Sequence, residues 1–298
     1  MKILLFGKNG QLGWELQRSL LPLGRLIALG SDDGALCGDF TDLDGIARTV
    51  RAVAPDVIVN AAAYTAVDQA ESQTDLARSL NALAPAVLAA EAQRSGAWLV
   101  HYSTDYVFDG SGDTPWRETD DPHPLNVYGR SKLEGERAIR QSGCRHLIFR
   151  TSWVYAARGD NFAKTILRLG RERTQLTVID DQIGAPTGAE LLADISAHAL
   201  STARRRPDVS GLYHLTAGGE TSWHGYATYV LDFARHAGID IQVAPQAIEP
   251  VPTTAFPTPA ERPKNSRLNT QKLEHTFELC LPDWQLAVAR MLTEILEK

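Results

Sequence analysis

Apolar positions in the first half of the chain follow two alternating rhythms. Short unbroken apolar runs occur at 2–6 (KILLF), 25–29 (RLIAL), 56–60 (DVIVN), 98–103 (WLVHYS) and 146–151 (HLIFRT), and they have the length of strands buried on both faces. Between them, 11–20, 43–53, 74–94 and 127–142 space their apolar residues three and four apart, as crossover helices do. Strand and helix in strict alternation are the sequence form of βαβ units. The pattern therefore predicts an α/β doubly wound parallel sheet. Beyond about residue 151 the rhythm loosens, with helices expected at 161–173, 188–203, 222–236 and 282–297 and a strand near 211–215. We divide the chain into a doubly wound unit, 1–151, and a smaller α/β region, 152–298, part of which is free to return to the first unit. The segment 250–268 (PVPTTAFPTPAERPKNSRL) holds five of the chain's fifteen prolines, too many for regular structure. A long irregular segment in a compact chain reads as a binding loop or lid.

Composition narrows the classes. With 298 residues, 44% hydrophobic and 22% charged, the chain can bury a substantial core. Its net charge of −6 and its single short basic run, Arg204 to Arg206, exclude a nucleic-acid platform. No apolar run reaches the roughly 18 residues of a membrane span. The opening MKILLFGKNG reads as a first strand rather than a leader. Cys37, Cys144 and Cys280 are odd in number and far apart, which fits a reducing compartment, and cytoplasm is the expected location. The eight histidines never cluster.

Two motifs carry chemistry. After the first strand, Gly7-Lys8-Asn9-Gly10-Gln11-Leu12-Gly13 runs straight into a helix. Glycines there permit a tight turn and close approach to a pyrophosphate, while the helix N-terminus favours negative charge. The second motif is NVYGRSKLEGE, 126–136, which tolerates two helix glycines at roughly 1 kcal/mol each. Tyr128 and Lys132, four apart, project from one helix face. A nearby ammonium favours phenolate, lowering a phenol's pKa by about one to three units, which makes the pair a usable proton donor. Upstream, Thr104 ends a strand where a hydroxyl can meet a substrate carbonyl.

These motifs, with NAAAYTAVDQAE (60–71), YSTDYVFDG (102–110) and PLNVYGRSKLEGE (124–136), resemble the extended short-chain dehydrogenase/reductase superfamily. FRTSWVYAARGDNFAKTILRL (149–169), DQIGAPTGAELLAD (181–194) and RPKNSRLNTQKL (262–273) narrow the resemblance to the dTDP-4-dehydrorhamnose reductases, over nearly the whole chain. The resemblance implies a Rossmann-type sheet with a smaller C-terminal substrate-binding α/β region. It also implies hydride transfer from NADPH or NADH to the C4 ketone of a dTDP-linked keto sugar. On that basis Tyr128 gives the proton, Lys132 lowers the tyrosine pKa and holds the nicotinamide ribose, and Thr104 polarises the ketone. Gly7 and Gly13 shape the phosphate loop, and Gly10, Gln11 and Leu12 cradle the pyrophosphate. Asp39 and Phe40 border the adenine, while Ala63, Tyr64 and Thr65 line the middle of the cofactor. Asp105 and Trp153 meet the sugar. Glu15, Glu190 and Glu294 match glutamates that bridge homodimers through Mg2+. In the proline-rich segment, Arg262 and Arg267 suit paired phosphate oxygens of the substrate diphosphate.

Two rival readings fare worse. In the related sugar-nucleotide dehydratases the strand-end loop carries an Asp-Glu pair, whereas here Asp105 is followed by Tyr106. A non-catalytic regulatory subunit has no need for Thr104, Tyr128 and Lys132, and all three are present. Cofactor choice is balanced. The carboxylate that an NAD-selective site wants at the end of the second strand is replaced by Gly30, with Asp32 and Asp33 just beyond, while Lys8 offers a positive charge to a 2′-phosphate. We expect use of both cofactors with a modest preference for NADPH.

Overall fold

The computed structural model describes residues 1–297. Six parallel strands form its central sheet: β1 (Lys2–Phe6), β2 (Arg25–Leu29), β3 (Val57–Asn60), β4 (Trp98–Thr104), β5 (Arg145–Thr151) and β6 (Gly211–His214). Their spatial order is β6-β5-β4-β3-β1-β2. Because successive residues of a strand point to opposite faces, each strand feeds two cores. Ile3, Leu5, Val57, Val59, Val100, Leu147 and Phe149 pack against α1 (Gln11–Leu20). Leu4, Phe6, Ile58, Leu99 and Ile148 pack on the other face, against α2 (Leu43–Val53) and α3 (Ala84–Ser95). Helix α4 (Val127–Gln141) joins that face through Ile139.

The second half contributes to both bodies. Helix α5 (Phe162–Glu172), α7 (Trp223–His236) and α8 (Trp284–Leu296) enclose a third core with the paired strands Leu176–Ile179 and Ile248–Val251. Helix α6 (Ala189–Arg205) instead adds Leu192, Ala193, Ala199 and Leu200 to the core on the α1 side, and β6 extends the sheet beside β5.

The helix expected over 74–94 is interrupted. Thr74–Arg78 is α-helical, Ser79–Leu83 forms a π-helical turn, and α3 then begins at Ala84. Pro85 has no N–H to give to the preceding turn, and the wider turn absorbs that loss. The turn presents Asn81 inward, where it accepts from Tyr64 N (2.9 Å) and donates to Tyr64 O (3.0 Å) and Ser131 Oγ (3.0 Å).

The two glycines of α4 are explained by backbone rather than by any ligand. A Cβ at position 129 would lie 2.1 Å from Tyr106 O, and one at position 135 would lie 2.2 Å from Asn81 O. Helix α4 rests directly on two neighbouring backbones, with Asn126 capping its start by accepting from Gly129 N at 2.8 Å.

Candidate active site

The strand order reverses between β1 and β3, and in open α/β sheets ligands bind beyond the strand ends at such a point. The glycine loop follows β1 there, and Ala63, Tyr64 and Thr65 follow β3. Gly7 has φ +86°, and a Cβ on it would sit 2.6 Å from Ala62 N, while one on Gly13 would sit 1.9 Å from Gly7 O. Gly10 differs. Its φ is −71°, and a Cβ there would meet nothing nearer than Gly7 O at 3.6 Å, so protein packing does not demand glycine. The room lies at the N-terminus of α1, which has no side-chain cap and no acidic residue in its first turn. An open, uncapped N-terminus over a bare backbone fits a dinucleotide pyrophosphate.

Gln11 reaches Asp160 O at 3.4 Å, and Leu12 packs on the sheet core. Phe40 is buried edge-on against Phe6, and Asp39 accepts from Thr41 N at 2.9 Å. Tyr64 is clamped by Asn81, with its hydroxyl 3.0 Å from Gln73 Oε1. Lys8 and Asp33, the opposed charges of the cofactor question, are paired with each other at 2.6 Å. Asp33 also accepts from Gly30 N at 2.6 Å, and these bonds hold its carboxyl below the ordinary value.

The reacting groups gather at the end of β4. Thr104 Oγ1 accepts from Tyr106 N (3.1 Å) and donates to Asp105 Oδ1 (3.0 Å). Burial pushes the Tyr128 phenol up to about 12; the Thr104 hydroxyl opposes this, and the charge of Asp105 adds to it. Lys132 is almost wholly buried and donates to Tyr102 O at 2.6 Å. Burial brings its ammonium down to about 8, against the charge of Glu136. What opposes burial at the phenol is thus Thr104, while the lysine is anchored on the β4 carbonyl. Burial likewise raises Asp105 to about 6, with the hydroxyls of Ser266 and Thr104 pulling it back.

Trp153 follows β5 with φ +49°, unusual for a bulky residue, and its ring stacks on Trp223 with centroids 3.7 Å apart. Trp223 Nε1 donates to Gln182 Oε1 (3.0 Å), and Gln182 Nε2 donates to Thr253 Oγ1 (3.1 Å) at the edge of the proline-rich segment. Asp181 ties that segment further, through Thr253 N (2.7 Å) and Lys264 (3.0 Å). Trp223, Gln182 and Ser266 were not singled out from the sequence, because no local spacing links them to Trp153 or Thr104.

The two segment arginines are committed to carboxylates. Arg262 makes a bidentate pair with Asp68, 2.9 and 2.8 Å, and Arg267 Nε lies 2.6 Å from Glu220. Glu15, Glu190 and Glu294 line one groove of about 290 Å³ between α1, α6 and α8. Glu190 lies 2.9 Å from Arg290 and Glu15 lies 3.4 Å from Arg18. Among the described residues, no three His, Cys, Asp or Glu side chains converge as a metal site, and no helix is long and apolar enough to cross a membrane.

Comparison with known proteins gives the same direction. Residues 1–297 match the family model described as the RmlD substrate binding domain. The dTDP-4-dehydrorhamnose reductase of Salmonella typhimurium is 61% identical over 99% of this chain and 98% of its own. Among solved structures, the dTDP-4-dehydrorhamnose reductase of Clostridium acetobutylicum superposes with a TM-score of 0.89 at 35% identity, covering 100% of both chains. That of Bacillus anthracis, in complex with NADP, has a TM-score of 0.87 at 34% identity, covering 98% of this chain and 99% of its own. With the reductase motifs, the switch-point loop and these relatives in agreement, the chain belongs to the dTDP-4-dehydrorhamnose reductase family.

Proposed function

We propose that this chain reduces the C4 ketone of dTDP-4-dehydro-6-deoxy-L-mannose to dTDP-L-rhamnose with NADPH or NADH, the last step of dTDP-L-rhamnose synthesis, in the cytoplasm. The observation that carries the reading is the cluster of buried Thr104 and Lys132 with half-buried Tyr128 at the end of β4, on the same edge of the sheet as the glycine loop. The bound cofactor supplies the hydride. Thr104 holds the ketone oxygen and Tyr128 protonates it. A phenol held near 12 stays protonated at neutral pH, yet remains more acidic than the alcohol being formed, so it gives its proton only as the alkoxide develops. Lys132 then offsets the charge left on the phenolate and steadies the nicotinamide ribose. Gly10, Gln11 and Leu12 take the pyrophosphate, Asp39 and Phe40 border the adenine, and Ala63, Tyr64 and Thr65 line the middle.

Trp153 and Asp105 face the sugar in this reading. Arg262 and Arg267 would take the substrate diphosphate by exchanging Asp68 and Glu220 for phosphate oxygens. The groove holding Glu15, Glu190 and Glu294 would pair with a second copy, since Leu286 in its lining is 68% exposed and Trp14, next to Glu15, is 47% exposed. Two copies would bring enough carboxylates together for Mg2+.

The test is turnover of the dTDP-keto sugar with each reduced cofactor, with identification of the product sugar. Stoichiometric cofactor oxidation and dTDP-L-rhamnose are expected. Product formation without net cofactor use would overturn the reading in favour of a dehydratase or epimerase.

A further inference from the structure

Tyr128 is the second residue of α4, in the first turn of the helix, whose N–H groups have no partner within the helix itself. That turn stays where side chains hold it. The N–H groups on either side of Tyr128 are both held: Val127 N donates to Glu71 Oε1 at 2.7 Å, and Gly129 N donates to Asn126 Oδ1 at 2.8 Å. Asn126 belongs to the helix's own start, and its amide also donates to Glu261 O, at 2.8 Å, in the proline-rich segment. Glu71 comes from elsewhere. It ends the short helix Val67–Ala70, which follows Ala63, Tyr64 and Thr65. Helix α4 has no acidic residue in its own first turn, so the Glu71 carboxylate supplies the negative charge that the positive end of a helix favours.

We infer that Glu71 is a positioning residue for the reaction: it fixes the start of α4 from the cofactor side, with Asn126 completing the hold, and so sets the place of the Tyr128 phenol at the end of β4. The inference rests on the proton donation proposed above for Tyr128. The partners of the phenol are fixed without this turn. Thr104 stands on β4 and accepts from Tyr106 N, and Lys132, one turn further along α4, is anchored on Tyr102 O. Tyr128 itself has two other contacts, its ring edge-on against Tyr106 with centroids 5.7 Å apart and its carbonyl accepting from Ser131 Oγ at 2.8 Å. Neither reaches the N–H groups before and after it. A first turn that loses Glu71 therefore moves the proton donor relative to Thr104 and Lys132.

A plainer role is available, in which the carboxylate only caps α4 and stabilises the fold. A double-mutant cycle with Tyr128→Phe separates the two. Glu71 is only partly buried, so Glu71→Ala is expected to fold, and melting temperatures are recorded beside the rates. Single-turnover reduction of the dTDP-keto sugar is followed under saturating NADPH. The inference expects Glu71→Ala to slow it by roughly 10- to 100-fold, the scale of a small misplacement of a reacting group. Cofactor Kd should stay within about 2-fold, and Glu71→Ala should cost less than about 2-fold once residue 128 is already Phe. Glu71→Gln keeps the accepting oxygen and should recover most of the rate. Should Glu71→Ala not fold, Glu71→Asp, whose carboxylate is one methylene too short for Val127 N, takes its place in the cycle. A variant that melts lower but reduces the sugar at the wild-type rate overturns the inference and leaves a cap. So does a loss as large in the Tyr128→Phe background as in the wild type, since the effect then does not pass through the phenol. Normal turnover by Tyr128→Phe alone is a different result: it removes the proton donor of the proposed reaction, and the inference with it.

Discussion

At the scale of single residues, the phenol hydroxyl of Tyr128 can be removed while its ring is kept in place. Tyr128→Phe keeps the ring that packs edge-on against Tyr106 and loses only the proton donor. Turnover should fall by roughly 10²- to 10⁴-fold with cofactor affinity nearly unchanged; stopped-flow reduction and a cofactor titration check both halves. Cofactor preference is also set by single residues. With Lys8 and Asp33 bonded to each other, neither charge is fully available to a ribose 2′ substituent. Asp33→Asn should release Lys8 and raise the ratio of kcat/KM for NADPH over NADH by about 2- to 5-fold, the range of a solvent-screened pair. Gly30→Asp should move the ratio towards NADH. A Cβ there would crowd only the ends of the Asn9 and Asp32 side chains, both of which can turn aside. An unchanged ratio in both variants would remove this pair from cofactor selection.

Elements show where the sequence was readable and where it was not. The five strands and four crossover helices of the first half follow from apolar periodicity, because each buries a face that only a layered sheet can cover. The Pro85 break was missed, since a single proline in a helical pattern does not say whether the helix ends or widens. The glycines of α4 were legible as a demand for space, but not as to what fills it: Tyr106 O and Asn81 O come from segments remote in sequence. The same limit applies to Trp153. Its place after β5 was legible, whereas its stacking on Trp223 and the link through Gln182 to Thr253 join four separate segments by side-chain contacts. That link makes a prediction at the scale of elements. Trp153→Ala should weaken dTDP-sugar binding far more than NADPH binding, and Trp223→Leu should do the same to a smaller degree, because it removes the stack that holds Trp153 at positive φ. Paired titrations with sugar nucleotide and cofactor decide it; equal losses of both would mean that the tryptophans support the fold and not the sugar.

The whole molecule carries the cost of the site in its pH dependence. Asp105, fully buried, binds its proton more tightly folded, at about 6, than unfolded, near 3.8. Between those values the native state holds more protons than the unfolded one, so this carboxyl makes the fold less stable as pH rises from about 4 to 6, and the penalty stays in full above 6. His214 has the opposite sign. Burial lowers it from 6.5 to about 3, so it makes the fold more stable as pH rises through that window. The two partly cancel in the wild type. Asp105→Asn keeps the shape and removes one of the opposing groups. It should raise stability at pH 7 by roughly 2–3 kcal/mol, the equivalent of about two pKa units, and steepen the loss of stability on acidification below pH 6. If Asp105 also serves the sugar, the same variant should lose substrate affinity while gaining melting temperature. Thermal melts from pH 4 to 8, run beside a sugar-nucleotide titration, test both expectations. A variant that melts no higher than the wild type at pH 7 would show that Asp105 is already neutralised there, and that its burial exacts no stability from the fold.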